Sequence, residues 1–192
     1  MLADTSTGRD RGLSPEIRRR CEEFARPLYA GLDGVQSFDR VSRVLERLDS
    51  LAADRQEADP RLLELLAVFH GVVGRLGSLV RGGRFDLFLR GLGLEDADRA
   101  RLRRGLERFD SQPKTVEELL LHDAVLLEEA GVVAAVGRLL VAGKKRIPAA
   151  RAVEALDAGP PAARFRTDPG AEWGSRERRL TETWLADLRR YF

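Results

Sequence analysis

Along most of this chain the apolar residues return every three or four positions, the period of a helix with one face turned inward. Ser14 followed by Pro15 reads as an N-cap with proline in the first turn, opening a helix toward Tyr29. From Phe38 to Ala53 the positions Val41, Val44, Leu45, Leu48 and Leu51 fall on one face. Asp59 and Pro60 repeat the start signal for a long apolar helix through Leu62, Leu65, Leu66, Phe69 and Val73. Glycines at 71, 74, 77, 82 and 83 then weaken any helix. They match neither phosphate-loop nor dinucleotide spacing. A short helix in FDLFLRGLGL and an arginine-rich one from Asp96 to Phe109 follow. Thr115 and Glu118 form a capping-box signature ahead of LLLHDAVLL. Gly131 breaks that helix, VVAAVGRLLVAG continues as a buried one to Gly143, and Pro148 opens another toward Leu156. Residues 157–174 read as a long loop. A final helix from Ser175 to Tyr191 is expected to dock through Leu180, Trp184, Leu188 and Tyr191. Strand alternation is almost nowhere to be found, so the expected class is all-α, a single compact multi-helix bundle over residues 14–192 with a disordered tail at 1–13.

At 192 residues, 43% hydrophobic and 33% charged, the chain suits one buried core. No apolar run approaches the roughly 18 residues of a membrane span. The start, MLADTSTGRDRG, lacks the apolar stretch of a secretory signal, so a cytoplasmic location is expected. One cysteine, Cys21, and two histidines, His70 and His122, exclude an internal disulfide and a finger-type zinc site. The net charge is only +2, and basic clusters stand at 18–20, 99–104, 144–146 and 176–179, with acids interleaved along most of the chain. Those clusters read as solvated helix faces, and a nucleic-acid partner is not expected.

The chemical question is posed by Asp123. Helical spacing surrounds it with Leu119, Leu120, Leu126 and Leu127, and an ionised carboxylate there needs a cation, a metal or hydrogen-bond donors.

Three segments resemble the HD superfamily of metal-dependent phosphohydrolases, in its compact bacterial form, over roughly Phe24 to Gly143. SFDRVSRVLERLDSLA is similar to the first motif helix, with its "H-v-x-R-V" pattern. LLELLAVFHGVVG is similar to the "LLHDIG" helix that bears the histidine–aspartate doublet. PKTVEELLLHDAVLLEEAGVVAAVGRLLVAG resembles the late helix pair that supplies the last aspartate. The resemblance implies an HD-like bundle, and it implies where metal ligands would stand. The first histidine falls on Arg40, the doublet on His70 and Gly71, and the final aspartate on Asp123; a further histidine falls on Phe109 and a second acid on Val125. A rival alignment takes His122–Asp123 as the doublet, with His70 as the upstream histidine.

The family's reaction uses a divalent cation to polarise a phosphoryl oxygen and activate water. Gly71 offers no donor, and Arg40 is a permanent cation. A guanidinium about 5 Å from a divalent ion, at an effective dielectric of about 20, opposes it by roughly 6 to 7 kcal/mol. The resemblance therefore implies an emptied site and a catalytically inactive pseudo-enzyme, a binding, regulatory or scaffolding protein without a cofactor. Protein partners or self-association are expected, and a small phosphorylated ligand is conceivable. The alternative is a metal-dependent phosphohydrolase acting on a nucleotide or phosphoester through a rebuilt site of His70 and Asp123, with His122 and an acid such as Asp39, Asp86 or Asp110.

Within this reading Arg40 either replaces the metal as the partner of Asp123 or points to solvent. His70 is either a satisfied core histidine or a ligand. Asp123 is either hydrogen-bonded to a neighbouring helix end or catalytic. Gly71, Gly74 and Gly77 are expected to let helices close the former cavity.

Overall fold

The computed structural model describes residues 12–32, 37–76 and 83–192. Among them the chain is all-helical, with no strand. The helices are α1 (Pro15–Tyr29), α2 (Asp39–Leu51), α3 (Pro60–Phe69), α4 (Arg84–Gly91), α5 (Asp96–Arg108), α6 (Val116–Glu129), α7 (Gly131–Lys144), α8 (Ala149–Glu154) and α9 (Asp168–Arg189).

Three starts follow the sequence signals. The Ser14 hydroxyl accepts from the Ile17 amide, Asp59 accepts from Arg61 and Leu62, and Thr115 with Glu118 completes a capping box. These side chains take up amides that no helical turn can satisfy. The α3 helix stops at Phe69 instead of running through Val73, and His70–Val72 forms a tighter 3-10 turn. That turn brings Gly71 up against the hydroxyl of Tyr29, which accepts from the Gly71 amide. The expectations for Gly77 and Gly82 lie outside the described residues.

α3 and α6 form the centre. Leu62, Leu63, Leu65, Leu66, Ala67, Val68 and Phe69 are all buried on α3, and α6 is wrapped by α2, α3, α5, α7 and α9. A helix apolar on nearly every side can be satisfied only by neighbours on every side. Cys21 lies fully inside this core, where burial pushes its thiol up to about 12, so it is inert packing.

The sequence assigned Leu13 to the tail, but it is buried and its amide donates to Glu64; residues 1–11 lie outside the described set. The last helix starts at Asp168, seven residues ahead of Ser175, because Thr167 caps it and a proline sits in its first turn. Its docking face is the expected one only in part. Trp184 packs on the Ala135–Leu156–Leu185 cluster and Leu188 is half-buried, whereas Leu180 and Tyr191 are exposed, and the buried positions are Gly170, Gly174, Thr181 and Leu185. A β-carbon at Gly174 would strike the ring of Phe165, and one at Gly170 would strike the carboxylate of Asp123. Close approach selected glycine here, and a search for large apolar residues passes over it.

The arginine cluster of α5 is also more internal than its composition suggests. Arg99 is buried, held by Asp86, Asp96 and the Leu94 carbonyl, while Arg101 reaches Asp59 and Glu117 and Arg108 pairs with Glu118. Paired arginines of this kind do not form a free basic stripe. No helix among the described residues is long and apolar enough to cross a membrane.

Candidate functional site

The four positions that the resemblance marks as metal ligands come from α2, the turn after α3, and α6. Each is now committed to a different neighbour.

Asp123 is completely buried on α6. Its Oδ1 accepts from the Arg166 amide at 2.8 Å, and its Oδ2 accepts from the Thr167 amide at 2.8 Å and the Thr167 hydroxyl at 2.7 Å. The same Thr167 oxygen accepts from the Gly170 amide at 3.1 Å, as the cap of α9. The buried acid therefore sits at the N-terminus of a 22-residue helix, where unpaired amides and the helix dipole favour an anion. Asp123 is thus hydrogen-bonded at a neighbouring helix end.

Arg40 is not its partner. The Arg40 side chain is only 13% exposed and turns inward, yet its guanidinium reaches the Val125 carbonyl at 3.5 Å and Glu129 at 3.7 Å. Both proposed roles for Arg40, as counter-charge to Asp123 and as a solvent-facing residue, are corrected by these contacts. The reason is geometric: Val125 and Glu129 lie further along α6 toward its C-terminus, where carbonyls and a free carboxylate receive a cation, while Asp123 is saturated by α9.

His70 is buried after α3. Its Nδ1 faces the Ala67 carbonyl at 2.7 Å, so this nitrogen carries the proton and donates. Its Nε2 is buried and has no hydrogen-bond partner among the described residues. The ring meets Phe109 edge-on, with centroids 6.4 Å apart, at the position where the family pattern carries another histidine. Burial first, and the nearby charge of Arg40 to a lesser degree, push its pKa down to about 4.

A stability effect follows from that shift. Below the ordinary value of 6.5 the unfolded chain takes up a proton that the folded chain refuses down to about pH 4, so the stabilisation is complete above 6.5 and is lost as pH falls through that window. Urea unfolding between pH 7.5 and 4.5 should show a decline to which His70 contributes up to about 3 kcal/mol. The His70→Gln variant should be correspondingly flatter over the same range, and equal slopes would contradict a neutral buried ring.

Gly71 is occupied in another sense. Tyr29 is buried, donates to the Val68 carbonyl at 3.0 Å, and accepts from the Gly71 amide at 3.2 Å. A β-carbon on residue 71 would lie 2.8 Å from its ring and hydroxyl. The phenol stands where the side chain of an aspartate would have to begin; the close approach expected at Gly71, Gly74 and Gly77 is found at Gly71, is absent at Gly74, which has open space beside it, and at Gly77 lies outside the described residues.

The other candidates fall away from the site. His122 is buried, with Nδ1 against the Phe109 carbonyl at 2.9 Å and Nε2 against that of Arg164 at 3.1 Å. It ties α6 to the segment before α9. Asp39 is exposed in the first turn of α2, Asp110 is exposed, and Asp86 is engaged by Arg90, Arg99 and Arg103. Among the described residues no group of three or more His, Cys, Asp or Glu could hold a metal ion. The donor set does not fit a divalent cation. A recess of about 1030 Å³ lies elsewhere, between the ends of α1, α2 and α3, beside Arg18, Asp49, Arg55 and Glu64.

Tyr29 and Thr167 were missed by sequence reasoning. Thr167 carries a signal, a hydroxyl residue two places before a proline, but it stands inside a stretch whose composition reads as loop. Tyr29 had none, because it meets Gly71 across 42 residues of chain.

No family model matches the sequence, and no curated protein matches it. Solved structures do resemble it. A Lactobacillus plantarum protein aligns with a TM-score of 0.69 at 14% identity, covering 93% of this chain and 98% of that one. Bacillus subtilis YpgQ in complex with ADP aligns with a TM-score of 0.66 at 13% identity, covering 92% and 95%. A selenomethionine form of YpgQ gives 0.65 at 13%, covering 92% and 94%. Identities this low carry the fold alone.

Proposed function

We propose that this chain is a catalytically inactive HD-type domain that works as a binding, regulatory or scaffolding protein without a metal. The observation that carries this reading is the employment of Asp123: three donors from Arg166 and Thr167 hold its two oxygens, and α9 is capped through them. An acid that anchors a helix cannot also turn toward a cation without freeing those donors, at a cost of about 1–3 kcal/mol for each one left unsatisfied. Gly71 and Arg40 remove two more donors, and Tyr29 fills part of the space.

The competing reading is a phosphohydrolase with a rebuilt site. An ADP complex of a protein with the same fold makes adenine nucleotides the first substrates and ligands to try. Purified protein should be incubated with ADP, ATP and a general phosphoester, with manganese, nickel, cobalt or magnesium added in turn. The inactive reading expects release of phosphate or pyrophosphate at the level of the protein-free control with every metal. Metal-dependent turnover that disappears in both His70→Ala and Asp123→Asn would establish the enzyme instead.

A further inference from the structure

The α7 helix was expected to be buried, and only one of its faces is. Ala134, Ala135 and Gly137 turn inward, with Ala135 packed beside Leu156 and Leu185. Toward its C-terminal end Leu140 is 65% exposed, and Ile147, just past the helix, is 42% exposed. The basic cluster between these two was expected to be a solvated face with acids among its neighbours along the chain. No acid stands between Glu129 and Glu154, a stretch that carries Arg138, Lys144, Lys145, Arg146 and Arg151 in a chain of net charge only +2. Arg138 turns away to the carbonyls of Glu129 and Asp157. Lys144, Lys145, Arg146 and Arg151 are exposed and make no ion pair among the described residues.

The backbone of this turn holds a cation where a smaller residue is usual. The amides of Arg146 and Ile147 donate back to the carbonyls of Gly143 and Ala142, the closure with which helices end on a left-handed residue, usually glycine. Here that residue is Arg146, at φ 56°. Its β-carbon disfavours the left-handed region, so folding stability is given up to keep an arginine at the tip. Residues 143–149 are all exposed in succession, and the turn projects from the surface. A projecting tip offers no groove to a peptide. With no aromatic residue between Glu129 and Glu154, it also offers no ring on which a nucleobase could stack. It presents cations with aliphatic side chains on either side, the chemistry of a segment that rests on negatively charged lipid. Glu177, over Gly131, lies about 20 Å away at the far end of the helix, so only the C-terminal tip of α7 suits such a surface.

We infer that the turn after α7 is a contact with an anionic lipid surface, in which Lys144, Lys145 and Arg146 meet the headgroups while Leu140 and Ile147 enter among them. The contact is peripheral, made by one tip, and calls for no helix that crosses a membrane. Each basic side chain at such a surface contributes roughly a fivefold gain in affinity, so a few cations with two aliphatic anchors give weak, reversible binding. The inference does not rest on the absence of catalysis.

Co-sedimentation of the full chain with lipid vesicles tests it. The wild type should bind vesicles of phosphatidylcholine containing roughly one third phosphatidylserine, should not bind phosphatidylcholine alone, and should be released by added salt. The double variant Lys144→Glu/Lys145→Glu should weaken binding by at least roughly tenfold, and Leu140→Gln several-fold. Both should leave the circular dichroism spectrum unchanged, because these side chains are on the surface. Arg146→Gly separates a lipid contact from a role in folding: it should raise the Tm by relieving the left-handed residue, yet weaken vesicle binding roughly fivefold. A wild-type chain that stays in the supernatant with the phosphatidylserine vesicles, or binding that survives the two lysine reversals, overturns the assignment. So does tighter binding of duplex DNA or RNA than of these vesicles, unaffected by Leu140→Gln, which would make the tip a nucleic-acid contact.

Discussion

Asp123→Ala is expected to destabilise the protein by about 4 kcal/mol, because it removes the acceptor of two backbone amides and one hydroxyl at once. For a chain of 192 residues that is a fall in Tm of roughly 10 °C. The loss should be concentrated in α9, whose N-terminus is held by those bonds, so amide exchange in that helix should quicken before exchange in α3. Asp123→Asn should sit near half the effect, since its oxygen still accepts while its amide nitrogen opposes a donor. The two explanations for the buried acid separate in a double-mutant cycle with Arg40. The structure keeps Arg40 on Val125 and Glu129, and so expects a coupling to Asp123 within about 0.5 kcal/mol of zero. A coupling of several kcal/mol would reinstate a direct pair.

The second large effect concerns Gly71. Restoring the aspartate that the family pattern carries there, Gly71→Asp, should cost about 2–4 kcal/mol, because the new β-carbon meets Tyr29 at 2.8 Å and displaces a phenol with two hydrogen bonds. Combining it with Tyr29→Ala should cost less than the sum of the two single changes, since each relieves the crowding made by the other. Strict additivity, measured by urea unfolding, would show that the tyrosine does not fill the vacated position. The restored aspartate alone should not create a metal site, because Arg40 and the anchored Asp123 remain as they were.

Much of this architecture could be read from residues. Ser14 before a proline, Asp59 before a proline and the Thr115–Glu118 box each act within four residues, so local spacing is enough to reveal them. What escaped was decided across the fold. Gly170 and Gly174 form a docking face through their lack of side chains, and hydrophobic periodicity has no means of marking an absence. Arg40 was legible as a cation but not as one directed to Val125 and Glu129, because its bearing depends on how α2 lies along α6. The need of Asp123 for a partner followed from its apolar neighbours. That the partner would be a helix N-terminus beginning at residue 168 depended on a start signal hidden in the loop.

The most direct test of the proposal that this chain works without a metal is elemental analysis of protein purified without chelators and without a histidine tag, before and after equilibration with manganese, iron, nickel and zinc. The expected result is a metal content far below one equivalent per chain, unchanged by His70→Ala. One tightly held divalent ion per chain, lost when either His70 or Asp123 is replaced, would contradict it.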